Sequence, residues 1–567
     1  MPRIRGVIGA AIAALAVVLA GCGSSNPSSQ SAVSHPSVLN ISLGAQVQPV
    51  WWYPLWSTTA CGGTLFGMEY QDLLWFNSNG TINWSQSVAK SITVNKADNV
   101  FDVHINPIWK WSNGTPVTAN DVVFAFNVEK ASAATNAPWA ACGLGIGGMP
   151  TEAKSVTALN QDTVQIQTIG SVNPDWFEFN FISQLTPVPA KVWDKYPTNM
   201  TQELSYIKTV GSEPMNANYK VIDGPYKLVK AVSDQYWEFK INPHFSGSPK
   251  PTIQTQIYQY ETSNTSEFAQ LKKGTIQEGA IPFSLLAQAK QLKGYVVKPL
   301  YYPGFNYIQP NFSSRAPGIG GLFQQLYFRQ AMQLGIDQPA IVASMYHGYA
   351  YPVYNPVPEQ PPNRFFDASL KNPYPYNPTR GKQILEAHGW HEVNGVMTRG
   401  STKLAFTFLV ASGDQTQTNI AELLQADWAL EGIKVTIKEE PFTQVITNGP
   451  QDANQWTLMS WGGGWSYVPD YYPSGDGILN SNAGFNPGGY DSPQMNHLIN
   501  ITTVEGGTPQ QIRQRFDAYQ KYAAEQLPVL YVPLAPTFYA VSTYVHGFYS
   551  NYSAYLGTPP NEISIGQ

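Results

Sequence analysis

The sequence predicts an α/β protein built from more than one packed unit, and two observations carry that expectation. Short apolar runs with the period of a half-buried strand alternate with runs at helical spacing, the pattern of layered α/β structure. The chain has 567 residues, more than one hydrophobic core usually supports.

Val7 to Ala20 is a run of uncharged, mostly apolar residues behind Arg3 and Arg5. At ~1.5 Å per residue it is too short to cross ~30 Å of hydrocarbon, so it reads as a secretory signal rather than a span. Leu19-Ala20-Gly21-Cys22 resembles the bacterial lipobox, which implies cleavage before Cys22, diacylglycerol on its thiol and further acylation of the new amino terminus. An ordinary signal with an incidental Cys22 is the alternative. Gly23 to Ser37 holds Ser, Pro and Asn with almost nothing to bury and reads as a flexible tether.

Folded structure is expected from about Val38. Thr118-Ala119-Asn120-Asp121 has the form of a capping box, followed by Val122, Val123 and Phe126 on one side of a helix. Lys382 to His388 reads as a helix closed by Gly389. Leu404, Phe406 and Phe408 alternate as in a half-buried strand. Ile420, Leu423, Leu424 and Trp428 then mark a helix face, and Ile433, Val435 and Ile437 a second strand.

Only 13% of the residues are charged and the net charge is -5, so solubility rests on neutral polar groups. No Lys/Arg run interleaved with aromatics occurs, which argues against nucleic acid as a partner. With Cys22 assigned to lipid, Cys61 and Cys142 remain in an oxidising compartment. A disulfide between them is expected, with two free thiols as the alternative. Neither has Cys or His at ligand spacing, so no metal site is expected.

Catalytic motifs are absent: there is no G-x-S-x-G elbow, H-E-x-x-H pair or phosphate-binding P-loop. The Gly-rich stretch Cys142 to Gly148 breaks the dinucleotide spacing and reads as a loop. No cofactor and no catalytic residue are assigned, and a binding protein is expected. A secreted hydrolase whose carboxylates meet only in space is the distant alternative. Aromatics are the positive signal, with 16 Trp and 32 Tyr. Trp51 and Tyr53 form one cluster. Trp461-Gly462-Gly463-Gly464-Trp465-Ser466-Tyr467, running on to Asp470, places three glycines between flat rings, a layout suited to a polar or extended solute.

Several segments together resemble one family. Trp109-Lys110-Trp111-Ser112-Asn113-Gly114-Thr115-Pro116-Val117-Thr118-Ala119-Asn120-Asp121-Val122 is similar to the signature of the family 5 extracellular solute-binding proteins of peptide, nickel and some sugar ABC importers, with Asn113 where that family usually has Asp. Asp223 to Leu228, Asn242 to Phe245, Phe328 to Asp337 and Asn377 to Gly389 match further family motifs in order. The resemblance implies a two-lobe clamshell with an extra subdomain in the first lobe and two hinge strands, crossing near Tyr301 to Asn306 and Val532 to Thr537. It divides the chain into a signal (1–21), a tether (22–37), lobe I (38–58, 186–303 and 535–567) with its subdomain (59–185), and lobe II (304–534). It also implies a lipid-anchored, extracytoplasmic monomer that closes on an oligopeptide and passes it to an ABC permease. An oligosaccharide is the alternative ligand. The expected contacts are Trp51, Tyr53, Trp461, Gly462, Gly463, Gly464, Trp465, Tyr467 and Asp470. Peptide-binding members carry an Asp soon after a Trp to pair with the ligand's α-ammonium. The corresponding positions here, Gly464 or Val468, are not acidic, which leaves Asp470 as the nearest carboxylate.

Overall fold

Two large sheets organise the chain, and the backbone passes between them twice. A computed structural model describes residues 37–45, 47–57, 65–442, 444–446, 452–504 and 506–566. The signal, Cys22, Cys61 and nearly all of the tether lie outside the described residues. No described helix is long and apolar enough to cross a membrane.

The first sheet has seven strands. Its order is Tyr295–Leu300, Thr537–Ser542, Glu278–Ile281, Val38–Ala45, Thr255–Glu261, Tyr236–Ile241 and Tyr226–Val232. Val38–Ala45 lies parallel to Thr255–Glu261, while Thr537–Ser542 returns antiparallel beside Tyr295–Leu300 and Glu278–Ile281. The second sheet contains a βαβ unit, in which Ala405–Ala411 and Lys434–Glu440 run parallel on either side of the helix Gln415–Leu430. That helix starts where the Asp414 side chain accepts a hydrogen bond from the Thr416 N–H at 2.8 Å, and it buries Ile420, Leu424 and Trp428 as the spacing predicts. Leu423 is only partly buried.

Gly304–Pro310 crosses the second sheet with every residue buried and pairs in turn with Gly464–Ser466, Leu530–Val532 and Leu458–Ser460. The chain therefore changes sheet between Leu300 and Gly304 and changes back between Val532 and Thr537. Asn306 ties the two crossings together, because its Nδ2 donates to the Pro533 carbonyl at 3.1 Å and its Oδ1 accepts from the Tyr302 hydroxyl at 2.5 Å.

Between the first strands of the seven-stranded sheet, the chain builds a separate four-stranded antiparallel sheet, Ala89–Val94, Val100–Ile105, Thr163–Thr168 and Ala153–Asn160. The helix Ala119–Ser132 packs on it behind the capping box formed by Thr118 and Asp121. Asp121 accepts from the Trp111 indole N–H, from the Thr118 N–H and hydroxyl, and from the Ala190 N–H, at 2.8 to 3.2 Å. Those bonds give the Trp111–Thr118–Asp121 spacing a structural cause. Phe124 is buried and Val123 only partly so, a wider buried face than the sequence suggests, because the helix also packs against Met200–Gly211. Cys142 is disulfide-bonded.

Glu431 shows how this protein buries acids. It is 0% exposed, neither carboxyl oxygen has a hydrogen-bond partner, and a Cβ on Gly381 would lie 2.3 Å from Oε1. Burial, and then the nearby Asp427 charge, raise its pKa from 4.5 to about 9. The stability contributed by the protonated form is complete below about pH 4.5 and is lost as the pH rises toward 9, at no more than ~1.4 kcal/mol per pH unit. Thermal denaturation of Glu431→Gln between pH 5 and 9 should show a smaller decline than the unsubstituted protein. Parallel declines would show that Glu431 ionises as readily folded as unfolded.

Candidate functional site

The inserted subdomain meets the second sheet along a polar seam. On the subdomain side is the short helix Pro174–Asn180, capped by the Asn173 side chain and begun by Pro174. Asn173, Trp176 and Asn180 recur at spacings of three and four, which sets them on one face. Across from them is the segment that follows strand Gly464–Ser466.

Each of the three carries a donor over the seam. Asn180 Nδ2 donates to Asp470 Oδ1 at 2.6 Å and to the Tyr472 carbonyl at 3.0 Å, while its Oδ1 accepts from the Tyr472 N–H at 2.7 Å. Trp176 Nε1 donates to Asp476 Oδ2 at 3.0 Å, joined there by the Gly147 N–H at 3.1 Å. Asn173 Nδ2 donates to the Tyr472 hydroxyl at 2.9 Å. Gly147 must be glycine: its φ is +62°, and a Cβ would lie 2.4 Å from the Asn180 carbonyl carbon. The glycine-rich stretch read as a loop thus supplies a backbone donor at close approach.

Asp470 is fully buried, and its Oδ2 accepts from Trp465 Nε1 at 3.1 Å. Neither Asp470 nor Asp476 forms an ion pair with Lys or Arg among the described residues. Burial, reinforced by the Asp476 charge, raises the Asp470 pKa well above the ordinary carboxylate range. Burial likewise raises that of Asp476.

A cavity of about 50 Å³ opens on this seam. Pro469 and Tyr471, on either side of Asp470, form one wall, and Leu55, Trp56, Asp72, Glu129 and Cys142 line the other side. Asp72 is partly exposed, and its Oδ1 accepts from Thr186 Oγ1 at 3.5 Å. Burial raises the Asp72 pKa to about 7 and that of Glu129 to about 8.

The sequence-derived contacts divide accordingly. Asp470 and Trp465 reach the seam, bound to each other. Trp465 is 9% exposed and meets Phe485 edge-on, while Tyr467 is buried with its hydroxyl donating to the Pro356 carbonyl at 2.7 Å. Gly464 serves strand pairing, since a Cβ there would lie 1.9 Å from the Phe305 carbonyl oxygen. Gly462 and Gly463 border a second cavity of about 20 Å³ beside Ile308 and Phe408. Trp461 stands edge-on to Tyr307, with centroids 5.1 Å apart. Trp51 and Tyr53 are buried in an aromatic core with Trp139 and do not line the cavity, although Tyr53 directly precedes Pro54 of its wall.

Sequence reading missed Asn173, Trp176, Asn180, Asp72 and Glu129. The Asn-Pro start and the three-four spacing of 173, 176 and 180 were readable as a polar helix face; that this face meets residues about 290 positions later was not. Among the described residues, no group of three or more His, Cys, Asp or Glu side chains could hold a metal ion.

Three comparisons bear on this arrangement. The model of the family described as bacterial extracellular solute-binding proteins, family 5, middle region, matches residues 83–484. The oligopeptide-binding protein AppA of Bacillus subtilis is 22% identical over 533 residues, covering 92% of this chain and 91% of AppA. The structure of AppA with a nonapeptide superposes with a TM-score of 0.76 at 20% identity, covering 94% of this chain and 99% of that one. The ABC transporter-associated periplasmic binding protein DppA of Helicobacter pylori, bound to the peptide STSA, gives 0.74 at 17% identity, covering 94% and 98%. NikZ of Campylobacter jejuni with Ni(L-His) gives 0.74 at 18%, covering 93% and 99%.

Asn180→Ala should strand Asp470 and both backbone groups of Tyr472. Leaving such groups buried without partners costs ~1–3 kcal/mol, read as a lower midpoint in denaturant. An unchanged midpoint would show that water replaces Asn180 without loss and that the seam does not depend on it.

Proposed function

The chain belongs to the family 5 bacterial extracellular solute-binding proteins, and from that premise we propose that it captures an oligopeptide between two lobes and delivers it to an ABC import permease. The family is extracytoplasmic, and it binds solutes rather than transforming them. Oligopeptide binding by AppA and the peptide held by DppA support the ligand class. The observation that carries the peptide reading is the seam itself, where carboxyl groups sit beside a cavity lined by neither Lys nor Arg. An acidic enclosure suits a ligand that brings an ammonium. An oligosaccharide needs flat aromatic faces to stack on; Trp465 and Tyr467 are packed in the core, and of the cavity's own rings, Trp56 and Tyr471, the latter is stacked on Phe76.

The lobes are proposed as 38–58, 186–303 and 535–567 with the subdomain 59–185, and 304–534. The two changes of sheet support these boundaries. Asp470 is proposed to hold the 461–479 segment closed over the ligand, because both its oxygens already accept bonds from neutral donors. Cys22 is proposed as the lipidated first residue of the mature chain, on the strength of Leu19-Ala20-Gly21 before it.

Thermal denaturation against peptide and oligosaccharide pools tests the ligand class. A peptide at ~100 times its Kd adds ~2.7 kcal/mol, so peptide pools should raise the midpoint and sugars should not; the reverse result would overturn the reading. Asp470→Asn should weaken free and N-acetylated peptides alike if it holds the seam, whereas loss confined to free-amine peptides would make it the ammonium partner. For the anchor, Cys22→Ala should free the protein from the membrane fraction of a producing bacterium. Retention through an alkaline wash would place the anchor elsewhere.

A further inference from the structure

The two acids of the seam are held unequally. Asp476 accepts four hydrogen bonds: its Oδ2 from Trp176 Nε1 at 3.0 Å and the Gly147 N–H at 3.1 Å, its Oδ1 from the Ser474 hydroxyl at 2.7 Å and the Gly477 N–H at 3.1 Å. Four donors and partial exposure suit a carboxylate. Asp470 accepts only from Asn180 and Trp465 and is 0% exposed. Trp176 and Asn180, which reach the two acids, stand about one turn apart on the same helix, so a charge on Asp476 is felt at Asp470. The donors therefore sort the pair: Asp476 takes the negative charge and Asp470 keeps its proton.

The other titratable groups around Asp470 supply no counter-charge. Tyr467 and Tyr519 face it, and burial keeps both hydroxyls neutral. On the helix Pro174–Asn180, Asp175 pairs with Arg364, and Glu178 lies off the face shared by 173, 176 and 180. Burial, and then the Asp175 charge, raise Glu178 to about 7. Across the cavity walled by Pro469 and Tyr471 are Asp72 and Glu129, raised by burial to about 7 and about 8. Arg515 acts on Tyr472 and donates to the Gly506 carbonyl.

We propose that Asp470 is a proton-dependent latch between the subdomain and the 461–479 segment: the seam fastens while its carboxyl is protonated and loosens when it ionises, so that ligand capture weakens as the pH rises. The latch is read from the seam alone, and its effect on capture rests on the two-lobe peptide reading above. With the seam undone and the carboxyl in water, its pKa is the ordinary 3.8; in the seam, burial and then the Asp476 charge raise it well above that. The fastened seam thus binds more protons than the undone one. Its stability is complete below 3.8 and is lost as the pH rises toward the seam value, by up to about tenfold in the equilibrium per pH unit.

Hydrogen exchange of the ligand-free full chain tests the latch. The Tyr472 N–H, bonded to Asn180 Oδ1, and the Gly147 N–H, bonded to Asp476 Oδ2, report the seam. With the intrinsic rate divided out, protection at both should fall at least ~10-fold between about pH 5 and about pH 8, while the strand Ala405–Ala411 keeps its own. Asp470→Asn, neutral at every pH, should show no pH response at either amide, and Glu178→Gln should respond as the unsubstituted protein does. Because Asn at this position also changes the bonds to Asn180 and Trp465, infrared spectra of protein carrying isotope-labelled aspartate give a second readout. The protonated-carboxyl absorption at about pH 5 should be weaker in Asp470→Asn. Constant protection across the interval, a fall that persists in Asp470→Asn, or an unchanged absorption in that variant would overturn the latch. With the peptide pools, the rise in thermal midpoint should be larger at the lower pH, and Asp470→Asn should abolish the difference. An equal rise at both pH values would overturn the link to capture. No rise with any pool would remove the peptide reading, and the link with it, while the exchange result still decides the latch.

Discussion

Two carboxyl groups without a cation partner among the described residues, the buried Asp470 and the partly exposed Asp476, hold together the surfaces that enclose the candidate site. Every polar bond they make is to a neutral donor: an indole, an amide, a hydroxyl or a backbone N–H. Desolvating two acids near each other is costly, so the arrangement is stable only while those donors stay in place and at least one acid keeps its proton. Opening the seam would return both acids to water and release that cost. Few charges in the composition and many buried acids in the fold express one design, in which neutral polar groups do the pairing that Lys and Arg do elsewhere.

The two crossings between the sheets set what can move. Among the described residues the chain passes from sheet to sheet at 300–304 and 532–537, so under the proposed two-lobe reading any rotation of one sheet against the other would be concentrated in those few residues. Asn306 bonds to Pro533 on one crossing and to Tyr302 on the other, so the crossings turn together. The same strand, Gly304–Pro310, pairs with Gly464–Ser466, and the segment leaving that strand carries Asp470 and Asp476 to the seam. The crossing at 300–304 and the seam are thus linked through one pair of hydrogen-bonded strands.

Local chemistry was legible in the sequence. The capping box at Thr118, the end of the helix Pro378–Ala387 just before Gly389, though not its start four residues ahead of the expected Lys382, and the strand–helix–strand run from 405 to 440 follow from spacing and cap residues alone. The candidate site was legible only in part. Asp470 and Trp465 were singled out as neighbours of a ligand, but the flat faces of Trp465, Tyr467 and Tyr53 went to packing, the common fate of large rings in a core. Nothing local in the 173–180 segment says which surface its polar face will meet, and Glu129 sits in a helix where period alone cannot tell a buried acid from a solvated one. Long-range pairing is decided by how the units pack, and no spacing rule carries it.

Small-angle scattering of the protein, with and without a bound peptide at saturation, tests the central claim most directly. The proposed closure on a ligand predicts that the unliganded protein scatters as a wider particle and that the peptide lowers its radius of gyration. A profile that does not change at saturation would contradict it.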